Sequence, residues 1–230
     1  MNHPPNNQDP TPGEAANLAR FLDHTLLKPE ATARDIEKLC AEAREHGFFS
    51  VCVNGSRVDQ ARRLLEGTGV KIACVVGFPL GATTTAAKAF EAGEAARAGA
   101  LEVDMVLAIG AIKQKDYTHA LADMKAVVQA VGPECGIKVI LETCLLTDEE
   151  KITACKLALE AGVRFVKTST GLSIGGATLH DVALMRATVG QQAGVKASGG
   201  IRNRAEAEAM VAAGANRIGT SAGIAIVTTP

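Results

Sequence analysis

Eight short β-branched apolar runs, each followed by an amphipathic helical pattern, recur along this chain about every 28 residues, which is the size of one βα unit. Parallel strands cannot be joined by hairpins, so each strand needs a crossover helix to return the chain to the same end of the sheet. The predicted strands are Phe21 to Leu26, Phe49 to Val53, Lys71 to Gly77, Leu101 to Ile109, Ile137 to Glu142, Arg164 to Thr168, Gly194 to Ala197 and Asn216 to Gly219. Between them, Thr32 with Asp35 and Thr147 with Glu150 stand at capping-box spacing, and Gly47 and Gly162 close the helices those boxes open. Several strands are apolar on both faces, as a parallel sheet covered by helices requires. Eight such units predict an α/β chain closed into a (β/α)8 TIM barrel, a single domain over 15–230. An open doubly wound sheet is the alternative, but Asp23-His-Thr-Leu-Leu-Lys28 follows the first strand where that fold usually carries G-x-G-x-x-G.

Composition narrows the function. Lys plus Arg number 24 against 25 Asp plus Glu, a net charge of −1, so no global field favours nucleic acid or an anionic membrane surface. Without Trp and with one Tyr, the chain also lacks platforms for stacking bases. Six cysteines without C-x-x-C spacing, mostly inside apolar runs, read as reduced buried thiols. The Asn- and Pro-rich residues 1–14 are expected to form a disordered polar arm, and neither a signal peptide nor a run of 18 apolar residues occurs. The expected location is the cytoplasm.

In a (β/α)8 barrel, chemistry gathers where strands run out at the C-terminal face. Strand six ends Val166-Lys167-Thr-Ser-Thr-Gly171 and strand seven ends Val195-Lys196-Ala-Ser-Gly-Gly200, which puts two lysines at equivalent places on neighbouring strands. They either snorkel outward between helices or face the barrel mouth. In the second case burial and mutual repulsion lower the pKa of one, and a neutral buried lysine is a Schiff-base nucleophile. Asp104, mid-strand in Leu101-Glu-Val-Asp-Met-Val-Leu107, either pairs with a lysine inside the barrel or caps a turn. Asp23, His24, Lys138 and Glu142 are weaker signals: a structural acceptor, a core histidine and an internal Lys138–Glu142 ion pair are equally good readings. The turns holding Gly171, Gly199-Gly200-Ile-Arg202 and Ile218-Gly219-Thr-Ser221 read as a phosphate cradle or as tight βα turns. The five histidines show no pair at metal-ligand spacing, so no metal is expected. Cys52 reads as a structural thiol rather than a nucleophile.

Asp23-His-Thr-Leu-Leu-Lys-Pro29, Ser50-Val-Cys-Val-Asn54, Gly77-Phe-Pro-Leu-Gly81, Glu102-Val-Asp-Met-Val106, Lys138-Val-Ile-Leu-Glu-Thr143, Val166-Lys-Thr-Ser-Thr-Gly171, Val195 to Arg202 and Arg217-Ile-Gly-Thr-Ser221 occur in one order from about residue 17 to 224. Together they closely resemble the deoxyribose-phosphate aldolases. That resemblance implies a class I aldolase that interconverts 2-deoxy-D-ribose 5-phosphate with acetaldehyde and D-glyceraldehyde 3-phosphate without metal or organic cofactor. It implies Lys167 as the Schiff-base lysine, Lys196 as the lysine that tunes its pKa and relays protons, Asp104 as proton donor and acceptor, and Asp23 as support for their network. It further implies Thr25, Thr170, Gly171, Gly199, Gly200, Arg202, Gly219 and Ser221 at the substrate and its phosphate. Small sugar phosphates and aldehydes are then the partners, and a homo-oligomer, a dimer or larger, is implied. Ala222 stands where many members have a second serine. A keto-acid aldolase and a sugar-phosphate-binding regulator on the same fold are the competing readings.

Overall fold

The structure is a computed structural model that describes residues 17–229. The expected polar arm, residues 1–14, lies outside the described residues. A 3-10 turn at Leu18–Phe21 leads into β1 (Leu22–Leu26), and the chain then alternates: α1 (Ala33–His46), β2 (Ser50–Val53), α2 (Val58–Leu65), β3 (Lys71–Val76), α3 (Thr85–Ala98) and β4 (Glu102–Val106). It continues through α4 (Ile109–Lys113), α5 (Tyr117–Val131), β5 (Gly136–Ile140), α6 (Asp148–Ala161), β6 (Phe165–Lys167), α7 (Leu179–Val189), β7 (Gly194–Ser198), α8 (Arg204–Ala212), β8 (Arg217–Thr220) and α9 (Gly223–Thr228). All eight strands pair in parallel with their neighbours in sequence, and β8 pairs with β1, so the barrel closes. The strand β4 stops at Val106, short of Ile109, because Ile109 opens the short helix α4.

Local chemistry sets the helix ends. The capping boxes of Thr32 with Asp35 and Thr147 with Glu150 are both formed, and Gly47 and Gly162 close their helices with φ of 64° and 82°, a region that a residue with a Cβ seldom occupies. None of the helices among the described residues is long and apolar enough to cross a membrane.

Two layers of side chains follow from the period-two alternation of the strands. Residues facing outward, among them Leu22, Val51, Val103, Met105, Val139, Val166, Val195 and Ile218, are buried in one apolar core against the helices. Interiors of such barrels are ordinarily filled by branched aliphatic residues. Here charged side chains occupy much of that space: Asp23, Glu102, Asp104, Lys138, Lys167, Lys196 and Arg217 are all buried, and only Cys52, Ala73 and Val75 form a small apolar cluster beside Leu27 and Phe78.

A second buried charge pair ties the outer layer to the barrel. Lys88 of α3 bonds Asp123 of α5 at 2.7 Å and the carbonyl of Val106, the last residue of β4, at 2.9 Å, while Thr85 donates to the same carboxylate at 2.8 Å. Removing one partner strands the other charge in an apolar layer, whereas replacing both with hydrocarbon does not. Asp123→Ala is therefore expected to lose about 3 kcal/mol or more in urea unfolding, and Lys88→Met with Asp123→Leu to recover most of it. An Asp123→Ala protein as stable as the wild type would show that the pair is not engaged.

Candidate active site

Parallel register brings charged residues of neighbouring strands side by side. Lys167 is the direct strand partner of Lys196, Asp104 of Lys138, and Asp23 lies between Ser50 and Gly219. Both lysines thus face the barrel interior, and the outward, snorkelling alternative does not apply. Asp104 sits at their centre: its Oδ2 accepts from Lys167 and Lys196 at 2.8 Å each, and its Oδ1 accepts from Lys138 at 2.9 Å. Lys196 also donates to Asp23, which accepts from the Ser50 hydroxyl at 2.7 Å and from Arg217 at 3.0 Å. Glu102 completes the cluster through Lys138 at 2.5 Å and Arg217 at 3.0 Å.

The electrostatics of this cluster separate its members. Burial acts to raise the Asp104 pKa, but the ammonium groups of Lys138, Lys167 and Lys196 outweigh it and hold the carboxyl well below the usual range. Asp23 and Glu102 are lowered against the same burial cost, Asp23 mainly by Lys196 and Arg217, Glu102 mainly by Arg217 and Lys138. Among the lysines, burial pulls every ammonium down, yet Asp104 with Asp23 raises Lys196, and Asp104 with Glu102 raises Lys138. Lys167 alone among these lysines is lowered: burial and the Lys196 charge together exceed its one carboxylate contact. Among the described residues four cations face three carboxylates, so that loss of the Lys167 proton would bring these charges to balance.

Above Lys167 lies a cavity of about 400 Å³, walled by Thr25, Lys28, Thr170, Gly171, Leu172, Ser198, Gly199, Gly200, Arg202, Gly219 and Ser221, with Leu26, Leu27, Pro29, Ile201 and Thr220 completing the lining. Every expected substrate-side residue lines this space. Lys28, Lys167 and Arg202 bring positive charge to it, and among the described residues no acidic side chain lines it. Gly171, Gly199 and Gly200 take positive φ of 82°, 88° and 85°, which turns their backbone in the loops after β6 and β7. Gly219 has another reason to lack a side chain: it lies within β8, and a Cβ there would stand 2.9 Å from Cε of Lys196. It makes room for that lysine as well as lining the cavity.

One expectation fails, and the other candidates find their places. Lys138 and Glu142 do not pair; Lys138 turns to Asp104 and Glu102, while Glu142 accepts from Thr170. His24 faces outward, its Nε2 2.7 Å from Glu42, into a larger groove of about 870 Å³ that runs along α1 and α9 and does not reach Lys167. Burial lowers its pKa. The Cys52 thiol is pushed up to about 11 by burial, as a structural thiol should be. All six cysteines are unbonded, and all but Cys144 are buried. Asp148, His180 and Asp181 converge between α6 and α7, a grouping that histidine spacing did not show because two helices supply it; Lys151 already bonds both aspartates, at 3.0 and 2.6 Å. Sequence reasoning also missed Glu102, Ser50, Ser198 and Arg217 as members of the site. They stand in the motifs of the resemblance without a role assigned to them, and their further signal was polarity inside runs that should be buried.

Comparison with known proteins gives one consistent result. Residues 18–228 match the family described as DeoC/LacD family aldolase. The deoxyribose-phosphate aldolase of Alkaliphilus oremlandii is 57% identical over 211 residues, covering 92% of this chain and 95% of that one. Its counterpart in Brevibacillus brevis is 58% identical over 212 residues, covering 92% and 96%. The solved structure of the deoxyribose phosphate aldolase from Aeropyrum pernix, described as a unique tetramer, aligns with a TM-score of 0.86 at 34% identity over 93% of this chain and 91% of that one.

The three lowered carboxyl groups make stability depend on pH. Unfolded, Asp23 and Asp104 titrate near 3.8 and Glu102 near 4.5, whereas in the fold all three keep their charge to lower pH. Their contribution is complete above the unfolded values and is lost as pH falls through the folded ones. The urea midpoint is expected to stay level from pH 7 to about 5 and to fall steeply below about 4. A midpoint level down to about pH 3 would mean that the folded state holds these carboxylates no better than the unfolded chain does.

Proposed function

This chain belongs to the DeoC/LacD family of aldolases and is therefore a lyase, and from that premise we propose that it reversibly cleaves 2-deoxy-D-ribose 5-phosphate to acetaldehyde and D-glyceraldehyde 3-phosphate through a Schiff base on Lys167. The observation that carries this reading is the lowered pKa of Lys167 at the floor of a cavity whose lining, among the described residues, otherwise holds two cations, Lys28 and Arg202, and no acid.

The chemistry runs from that amine. Neutral Lys167 adds to C1 of the open-chain sugar, and the carbinolamine loses water to give an iminium. The iminium draws electrons from the bond between the second and third carbons. As the C3 hydroxyl gives up its proton, that bond breaks: C3 to C5 leave as glyceraldehyde 3-phosphate, and C1 and C2 remain on Lys167 as an enamine. Asp104, through a water molecule, takes the hydroxyl proton. Protonation of the enamine at C2 and hydrolysis then release acetaldehyde and restore the amine. Lys196, held charged by Asp104 and Asp23, keeps Lys167 in its neutral form and supplies protons along the shared Oδ2 of Asp104.

Binding is assigned to the other end of the cavity. Gly171, Gly199, Gly200 and Ser221 offer backbone N–H groups to the phosphate, Arg202 adds charge, and Thr25 and Thr170 flank the sugar. Binding energy far from the reacting carbons orients the chain for cleavage. The protein acts in the cytoplasm as a homo-oligomer in this reading, in keeping with a relative described as tetrameric.

Borohydride reduction in the presence of acetaldehyde and EDTA, followed by peptide mass mapping, tests the assignment. A single two-carbon adduct on Lys167 is expected, absent in Lys167→Leu, whose turnover should fall to background. Lys196→Leu removes the neighbouring charge and is expected to raise the Lys167 pKa, moving the acid limb of the pH–rate profile upward. Surviving turnover in Lys167→Leu, or an adduct confined to Lys196, would sink the assignment of the nucleophile.

A further inference from the structure

Glu142 lies just past the end of β5, where its backbone turns into the left-handed region with φ 56° and ψ 63°. Among the described residues only Lys115, in an exposed turn, shares a positive φ without being glycine. Such a conformation is retained when the surroundings require that side chain at that place. The side chain is 3% exposed, and among the described residues no cationic nitrogen lies within 4 Å of its carboxyl group. A buried carboxyl group without an ion-pair partner is uncommon.

What the carboxyl group does hold is the loop after β6. The Thr170 hydroxyl donates to Oε2 at 2.5 Å, and the Thr170 N–H reaches both oxygens, at 3.3 and 3.4 Å. The same hydroxyl oxygen accepts from the Leu172 N–H at 3.1 Å. Thr170, Gly171 and Leu172 all line the cavity. This chain of bonds fixes the direction of the loop three residues beyond Lys167, at the side of the cavity that faces the β7 loop.

Building on the reading that the cavity takes an anionic sugar phosphate, we infer that Glu142 is a positioning residue for the anion. It touches no substrate and acts through Thr170, holding the 170–172 loop in the one conformation that binds phosphate. The strained turn at Glu142 is the means by which the carboxyl group reaches that loop.

Two variants separate the carboxyl group from the turn. Glu142→Gly removes the group and suits the left-handed backbone. Glu142→Gln keeps one oxygen, which at the Oε2 position reaches both the hydroxyl and the N–H of Thr170. Calorimetric titration with inorganic phosphate is paired with steady-state cleavage of 2-deoxyribose 5-phosphate and of unphosphorylated 2-deoxyribose, with circular dichroism to confirm folding. In Glu142→Gly the Kd for phosphate and the KM for the sugar phosphate are expected to rise about tenfold, the loss of one strong hydrogen bond. The kcat, and the rate on the unphosphorylated sugar, should change less than about threefold. Glu142→Gln should recover most of the affinity. Glu142→Asn, which tolerates the left-handed backbone but is one carbon too short to reach Thr170, should give the same rise and decides the matter if Glu142→Gly does not fold. An unchanged phosphate Kd in these variants, or a wild type that binds no phosphate, overturns the inference. A wild type that binds phosphate yet leaves the sugar phosphate intact overturns the functional reading alone, since the phosphate titration still decides the role of Glu142.

Discussion

The carboxylate of Asp104, surrounded by three ammonium groups inside a closed sheet, is the interaction on which the rest of this protein depends. Desolvating an ion costs several kcal/mol, and the interior recovers that only where partners stand at hydrogen-bond distance on every side. A parallel barrel meets the condition because alternate residues of every strand point inward, so that neighbouring strands bring their inward side chains together. Asp23, Asp104, Lys138, Lys167 and Lys196 come from five different strands and converge within contact of one another. The cluster is a structural liability, and among the described residues its surplus of one positive charge falls on Lys167, the lysine with the fewest carboxylate contacts.

That dependence explains which parts were legible in the sequence. The period of strands and helices survives in any sequence that folds this way, since each apolar face must be covered, and so the barrel, its caps and the strand-end lysines could be read directly. Partnerships inside the barrel could not. Lys138 and Glu142 lie four residues apart, about 13 Å at the rise of a strand, and each finds a nearer partner: Lys138 bonds Glu102 and Asp104, and Glu142 bonds Thr170. The partners of Lys138 come from β4, and sequence separation carries no trace of that.

Glu102 and Arg217 show the same limit from another side. Each is a charge near the start of an apolar strand, and the sequence does not say which partner meets it there. In the fold they face each other at the N-terminal end of the barrel, and the guanidinium of Arg217 lies 3.3 Å from the ring centroid of Phe49, with Phe165 on a further side at 5.2 Å. The family resemblance pointed to the residues at the mouth and was silent on this lower layer. The positive-φ turn at Glu142 was equally invisible, because a glutamate is among the last residues one would place there.

The stack of Arg217 on Phe49 and Phe165 closes the lower end of the barrel, and all three side chains are almost wholly buried. Among the described residues the charged cluster is thus covered on its N-terminal side by this stack and lies under the 400 Å³ cavity on the other, so that in the proposed reaction a ligand seated in that cavity would stand between Lys167 and solvent.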